Sequence, residues 1–302
     1  MTFRVDPDIT RASTFDPAFY FDAAAYDATR ERVFARTWQW LGDLGDVAAP
    51  GSLSPRTLLP GLVDEPLILV RDAGGTLRCL SNVCTHRGNL LVTTPCRADQ
   101  IRCGYHSRRF DLAGRMTFMP EFAGVQDFPS PADDLAQVPL DTWAGHAFAA
   151  LAPAQPFAAF IDDVRKRLAW LPVERYRHDP ARDRDYTIPA HWALYVENYL
   201  EGFHIPFVHA DLNRAVDYAS YDTDLFRYAN VQRALARDGE AAFDVPRGAP
   251  DHGQPVAAYY VWMFPNLMLN FYPWGLSINL VEPTAPDRTR VRFRSYVGNA
   301  SL

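Results

Sequence analysis

Two short clips of mixed ligands constrain this chain more than any other feature: Cys84-Thr85-His86 and, sixteen residues on, Cys103-Gly104-Tyr105-His106. Two thiolates and two neutral imidazoles can hold a [2Fe–2S] cluster, with the cysteines on one iron and the histidines on the other. Exchanging two thiolates for neutral rings removes negative charge and favours the reduced state. Such a cluster sits between two loops and takes one ligand of each kind from each, so the segment around the clips has to hold two loops side by side. The competing reading is a structural Cys₂His₂ zinc site. Those sites usually pair like ligands, as C-x₂₋₄-C and H-x₃₋₅-H; here each clip carries one of each. A chain with this device moves single electrons.

The rest of the composition narrows the class. At 302 residues, 48% hydrophobic and 22% charged, the chain can fill one large or two medium domains. A net charge of −6 argues against a nucleic-acid partner. No run of ~18 apolar residues exists, so no membrane span is expected. The first residues show no apolar signal core, and Cys79 and Cys96 read as inert thiols rather than a disulfide framework, which points to the cytoplasm.

Along the chain, 22–37 reads as a helix capped by Asp22. Short strands are expected from Trp38 to about Leu151, with a hairpin turn at Asp72-Ala73-Gly74-Gly75. A boundary falls at 153–156, followed by an amphipathic helix from Phe157 to Leu168. Trp192 to His204 reads as a buried helix, 238–255 as a mobile surface loop, and 256–297 as four antiparallel strands broken at Pro265-Asn266, Pro273-Trp274-Gly275 and 283–287. The expected domains are an N-terminal helical segment, 1–37, packing on the catalytic domain; a cluster domain, 38–152; and a catalytic domain, 153–302.

A second constellation lies at Glu197 to His209. His204 and His209 are five apart, which is not the one-face spacing of a regular helix. Pro206 between them removes a helix bond, and a distortion there would bring the rings together. Two imidazoles and one carboxylate make the facial triad of a mononuclear non-haem iron, with positions left open for O₂ and substrate. Glu201, one turn before His204, is placed to take the outer N–H of a metal-bound histidine. A structural role for either histidine is the plainer reading of this motif alone; an electron donor upstream shifts the balance. Tyr195, Trp262, Phe264, Phe271, Tyr272 and Trp274 could line an apolar pocket, and a cage of them would suit a quaternary ammonium group. His146, His178, His191 and His252 are assigned structural or surface roles.

With Cys84-Thr85-His86-Arg87-Gly88, Cys103-Gly104-Tyr105-His106 and Asn198-Tyr199-Leu200-Glu201-Gly202-Phe203-His204 with His209 in hand, the chain resembles the alpha subunits of Rieske non-haem iron (ring-hydroxylating) oxygenases from about Tyr26 onward. The resemblance implies an α+β chain: an all-β Rieske [2Fe–2S] domain plus a helix-grip catalytic domain, an antiparallel sheet around a helix. It implies a homotrimer, sometimes with beta subunits, in which the cluster of one subunit feeds the Fe(2+) of its neighbour through a bridging carboxylate, matched by Glu201. It also implies electrons from an NAD(P)H-dependent reductase or a ferredoxin. Many members have Gly-Trp where this chain has Ser107-Arg108. The loop disulfide of respiratory Rieske proteins is absent, Asn89 and Tyr105 standing at its positions, which favours the oxygenase branch. The family's carboxylate ligand follows the last strands, so it is expected beyond Leu302, and the catalytic domain is expected to be incomplete at its C-terminus.

The function read from these features is O₂-dependent hydroxylation or demethylation of a small organic substrate, aromatic or quaternary ammonium, by a Rieske-type mono- or dioxygenase. The alternative is a Rieske electron-transfer protein with an inactive catalytic domain; a zinc-stabilised binding module is a third.

Overall fold

Short apolar strands separated by turn residues build the part of the chain that carries the clips. The structure, a computed structural model, describes residues 3–301; Met1, Thr2 and Leu302, at the ends of the expected segments, lie outside the described residues. Two units separate by their contacts: Ala35–Pro153, and the residues up to Phe34 together with those from Ala154 onward.

The first unit is all-β. Strands β1 (Gln39–Asp43), β2 (Ser52–Leu58), β3 (Glu65–Arg71), β4 (Leu77–Ser81), β5 (Cys96–Arg97), β6 (Ile101–Arg102), β7 (Arg109–Phe110), β8 (Met116–Phe118), β9 (Leu140–Trp143) and β10 (His146–Ala149) form three antiparallel sheets, ordered β1-β10-β9, β4-β3-β2-β5 and β6-β7-β8. The β3–β4 turn falls at Asp72–Gly75, where Gly75 takes a left-handed φ of 85° that an L-residue resists. Leu53, Ile68, Leu80, Phe110 and Leu135 make a core to which Cys84 and Cys103 themselves belong.

In the second unit, α1 (Ala18–Phe21) and α2 (Ala23–Arg32) precede α3 (Phe157–Arg167). Asp22 does cap α2, accepting the Ala25 N–H at 2.8 Å, but the helix ends at Arg32 rather than Thr37 and gives way to a short 3₁₀ turn at Phe34–Arg36. On α3, Phe157, Phe160, Ile161 and Val164 are buried on one face, and the helix packs on the sheet at β14.

Strands β11 (Arg177–His178), β12 (Arg184–Ile188), β13 (Val216–Leu225), β14 (Ala229–Ala236), β15 (Val256–Met263), β16 (Leu267–Tyr272), β17 (Gly275–Ala285) and β18 (Arg288–Val297) form one antiparallel sheet in the order β11-β18-β17-β16-β15-β14-β13, with β12 also on β18. The last four strands break where the turn residues stand. The helix α4 (Trp192–Tyr199) packs against β17, and two short helices follow, α5 (Ile205–Val208) and α6 (Ala210–Ala215).

Two expectations change here. The helix read as 192–204 stops at Tyr199. The segment 238–255 is irregular but tied down. Asp251 within it is 3% exposed and ion-paired to Arg167 and Arg233, at 2.7 Å each, and accepts the Tyr259 hydroxyl at 2.7 Å. A buried carboxylate without those partners would be too costly to keep. Burial opposes its ionisation, but Arg167, Tyr259 and Arg233 hold it below the usual carboxylate range.

Candidate functional site

The two clips occupy loops of the same design. Pairing of Val83 with Leu90 closes a six-residue loop, 84–89, and pairing of Arg102 with Arg109 closes another, 103–108. In the first, the Cys84 N–H donates to the Asn89 carbonyl at 2.9 Å and the Gly88 N–H to the Cys84 carbonyl at 3.0 Å. In the second, Cys103 donates to Arg108 at 2.8 Å and Ser107 to Cys103 at 3.1 Å. The fifth loop residue is left-handed in both, Gly88 at φ 71° and Ser107 at φ 59°. Ser107 therefore carries in its backbone the strain that Gly88 avoids, and its hydroxyl accepts from Arg102 at 2.8 Å. Asn82, buried behind the first loop, exchanges two hydrogen bonds with Val92, at 2.7 and 2.9 Å.

This design pairs ligands by kind. The Cys84 and Cys103 side chains are in hydrogen-bond contact, both buried and free of disulfides, and the His86 and His106 rings lie 4.7 Å apart between centroids. His106 Nδ1 is buried without a partner. A buried ring nitrogen left orphaned is costly unless something binds it. Two adjacent thiols, two adjacent imidazoles and an orphaned ring nitrogen fit a two-iron cluster with sulfur at one iron and nitrogen at the other.

Electrostatics prepares the same outcome. Burial works against both thiolates. It prevails at Cys84, whose thiol is pushed up. At Cys103 the N–H groups of Tyr105 and His106, with help from the Cys84 side chain, outweigh it and draw the thiol down. Burial, and then the charges of His106, Arg87 and Arg108, push His86 towards its neutral, ligating form. By contrast Cys79, on β4, is pushed up by burial to about 12 and stays an inert thiol.

The second constellation is assembled by a break in the catalytic helix. α4 ends at Tyr199, and three residues on the backbone of Gly202 lies so close to the Tyr221 ring that a Cβ there would sit 3.0 Å from a ring carbon. The chain turns through Glu201–His204 and restarts as α5. Pro206 falls in the first turn of α5, where an N–H has no helical partner to lose. The distortion is thus at Gly202, upstream of the proline on which the sequence reading placed it. The outcome for the histidines is the expected one: the His204 and His209 rings are 5.0 Å apart.

Glu201 grips His204 twice. Its Oε1 lies 2.5 Å from His204 Nδ1, and its Oε2 accepts the His204 N–H at 3.2 Å. Nδ1 is thereby engaged, which leaves Nε2 as the ring nitrogen free for a metal. Both histidines, with Glu201, line a cavity of about 270 Å³. Two facing imidazoles with one orienting carboxylate fit a mononuclear iron site. Among the described residues no third side chain joins them to complete a metal-binding group.

A polar row on the sheet holds this cavity in shape. Gln232, Tyr260, Asn270 and Ser277 stand opposite one another across β14, β15, β16 and β17 and so share a face. Tyr199, the last residue of α4, lies over the row: its hydroxyl donates to Asn270 at 2.9 Å and its carbonyl accepts from Gln232 at 2.8 Å. Gln232 also accepts the Tyr221 hydroxyl at 2.9 Å.

Sequence reasoning missed Tyr199, Tyr221, Tyr260, Gln232 and Asn270. The available signal was a polar residue in an otherwise apolar strand, as Asn270 is in Leu-Met-Leu-Asn-Phe-Tyr. Of the expected pocket aromatics, Tyr195 lines the cavity, while Tyr272 and Trp274 line a smaller neighbouring one that shares Leu212 and Tyr260 with it. Phe271 is wholly buried in the sheet, and Trp262 and Phe264 line neither cavity. Among the other histidines, His146 accepts from Trp40 and His191 caps α4 among the rings of Phe19, Tyr20 and Tyr26, both structural roles.

Comparison with known proteins agrees with this architecture. Residues 37–129 match the Rieske [2Fe-2S] domain, and residues 169–302 match the ring hydroxylating alpha subunit catalytic domain. The chain is 27% identical to the chloroplastic choline monooxygenase of Arabidopsis thaliana, over 97% of this chain and 70% of that protein. It is 28% identical to the carnitine monooxygenase oxygenase subunit of Escherichia coli K12, over 96% and 76%. A solved quaternary ammonium Rieske monooxygenase, described in relation to carnitine oxidation by gut microbiota and inter-subunit electron transfer, shares the fold with a TM-score of 0.79 at 21% identity, over 96% of this chain and 78% of that one. The cofactors that follow are a Rieske [2Fe–2S] cluster and a mononuclear iron, and the co-reactants are O₂, a small substrate and a reductase. The chain belongs to the Rieske non-haem iron oxygenase alpha-subunit family.

Proposed function

We propose that Cys84, His86, Cys103 and His106 hold the cluster, that His204 and His209 hold the iron, and that Glu201 orients His204 and bridges towards the incoming electron. The substrate is a compact quaternary ammonium compound, oxygenated or demethylated in the cavity beside the two histidines. When bound, the cluster supplies electrons singly and the iron activates O₂ next to the substrate.

The observation that carries the substrate assignment is the cavity's lining. Tyr195, Tyr199, Tyr221 and Tyr260 supply aromatic surface, no described Lys or Arg lines the cavity, and Glu201 is its one carboxylate. Burial pushes the Tyr199, Tyr221 and Tyr260 phenols up, so they stay neutral and offer ring faces to a cation. Choline and carnitine, named for the two relatives above, both carry a quaternary ammonium group.

The working unit is a homotrimer in which electrons pass between subunits. Leu90 and Tyr105 are exposed beside the cluster ligands, and Phe203, Phe207 and Val208 are exposed beside His204, Phe207 by 89%. Apolar side chains concentrated at both redox positions suit burial against a second copy of the chain. We place the chain in the cytoplasm, where free thiols persist; its four cysteines are unpaired, and no helix among the described residues is long and apolar enough to cross a membrane.

The experiment is a single turnover of the reduced holoprotein with O₂, monitored by cluster re-oxidation and product analysis. Choline, carnitine and glycine betaine are run against flat neutral arenes. A quaternary ammonium compound that speeds re-oxidation and is converted supports the reading; conversion of an arene alone overturns it. His204→Ala should leave the cluster spectrum intact and abolish turnover.

A further inference from the structure

Arg108 ends the second cluster loop and is 3% exposed. Its carbonyl closes the loop by accepting the Cys103 N–H. Its guanidinium lies 5.6 and 5.8 Å from the ring centroids of Phe128 and Phe110 and donates to Asp133 Oδ1 at 2.5 Å, while its Nε is buried without a partner. A buried guanidinium is retained only where something compensates it. Asp133 is itself fixed, its Oδ2 accepting from the Ser130 N–H and hydroxyl at 2.9 and 3.0 Å. Its carbonyl accepts the hydroxyl of Thr85 at 2.7 Å, and Thr85 stands between Cys84 and His86. One residue thus receives a side chain from each cluster loop.

We propose that Arg108 and Asp133 form a buried ionic tie that holds the two cluster loops together and, through the cation, sets the cluster's reduction potential. This rests on the assignment of the four ligands above. Reduction adds negative charge to the cluster. A fixed cation beside it in a medium of low dielectric favours the reduced state. The cation belongs to the loop itself, whereas the Asp133 carboxylate lies outside it and is shared, Oδ1 with the guanidinium and Oδ2 with Ser130. Arg108 is therefore a positioning and tuning residue and not a ligand.

The test is a redox titration of the holoprotein by visible absorption and EPR, with the rate of cluster loss on warming as a second readout. Arg108→Met should lower the potential by the equivalent of about tenfold in the reduced-to-oxidised ratio, about 59 mV for one electron. Asp133→Asn should raise it, since the cation then stands uncompensated. Arg108→Lys, which keeps the charge, should stay within about threefold of the parent by the same conversion. Both neutralising variants should lose the cluster faster than the parent. Simple loosening of the loops would move the potentials of Arg108→Met and Asp133→Asn in the same direction; that result, or an unchanged potential in Arg108→Met, overturns the proposal. If Arg108→Met does not retain its cluster, an Asp133→Asn potential at or below the parent's overturns it instead. Absence of a Rieske signal in the parent protein would refute the ligand assignment, and the tie with it.

Discussion

Gln232→Leu tests whether the polar row on the sheet shapes the iron site. The Tyr199 carbonyl is among the last of α4 and has no acceptor role left within the helix. Gln232, 1% exposed, supplies its donor at 2.8 Å and takes the Tyr221 hydroxyl at 2.9 Å. Leucine has similar bulk but leaves both part-buried groups without their partner. Each orphan costs about 1–3 kcal/mol, so the pair costs about 2–6 kcal/mol. For a unit of this size, that lowers Tm by about 10 °C. The loss falls on the segment that carries Glu201 and His204, because Tyr221 also walls Gly202. Metal affinity at His204 and His209 should drop about 10–100-fold, the usual effect of removing outer support from metal ligands. The assays are calorimetry and a Co(II) titration followed by absorption. Gln232→Glu, which keeps the acceptor for Tyr221 but loses the donor to Tyr199, should fall between parent and leucine. A leucine variant that melts within about 2 °C of the parent, where the rule predicts about 10, and binds metal equally well would refute the role given to this row.

Three further outcomes follow from particular contacts. Ser107→Gly relieves a left-handed φ at the cost of one exposed hydrogen bond to Arg102, and should stabilise the cluster unit by about 1 kcal/mol, read as a higher Tm. Asp251→Asn removes the buried carboxylate that Arg167 and Arg233 share, leaving them their more exposed partners Asp224 and Asp222, and should destabilise the protein by about 1–3 kcal/mol and open 238–255 to proteolysis. His191 is held neutral by burial, its pKa pushed down to about 4. The unfolded chain binds that proton near pH 6.5 and the folded one does not, so stability should be full above pH 6.5, fall by about 3 kcal/mol between pH 6.5 and 4, and level off below. His191→Gln, which keeps an acceptor for the Ala193 N–H, should flatten that part of the profile.

The cluster ligands were legible in the sequence because each lies in a local clip, and a six-residue loop closed by neighbouring strands needs no distant partner to be recognised. The last four strands were legible for the same reason: their breaks coincide with Pro and Gly turns. Gln232, Tyr260 and Asn270 were not, because only strand register brings them into line, and register depends on pairings that a single chain does not display. The end of α4 was misplaced by five residues because the proline is a local signal, whereas Gly202 matters only once Tyr221 arrives from β13. The loop at 238–255 looked mobile from its Gly, Pro and Asp content; the cations that pin Asp251 come from α3 and β14.

The most direct test of the account is electron–nuclear double resonance on the reduced holoprotein. The pairing of Cys84 with Cys103 and of His86 with His106 predicts coupling of the cluster spin to two directly bound nitrogens, with one coupling lost in each of His86→Cys and His106→Cys where the cluster is retained. A reduced cluster with no nitrogen coupling, or a protein that binds zinc at these four residues and no iron, would contradict it.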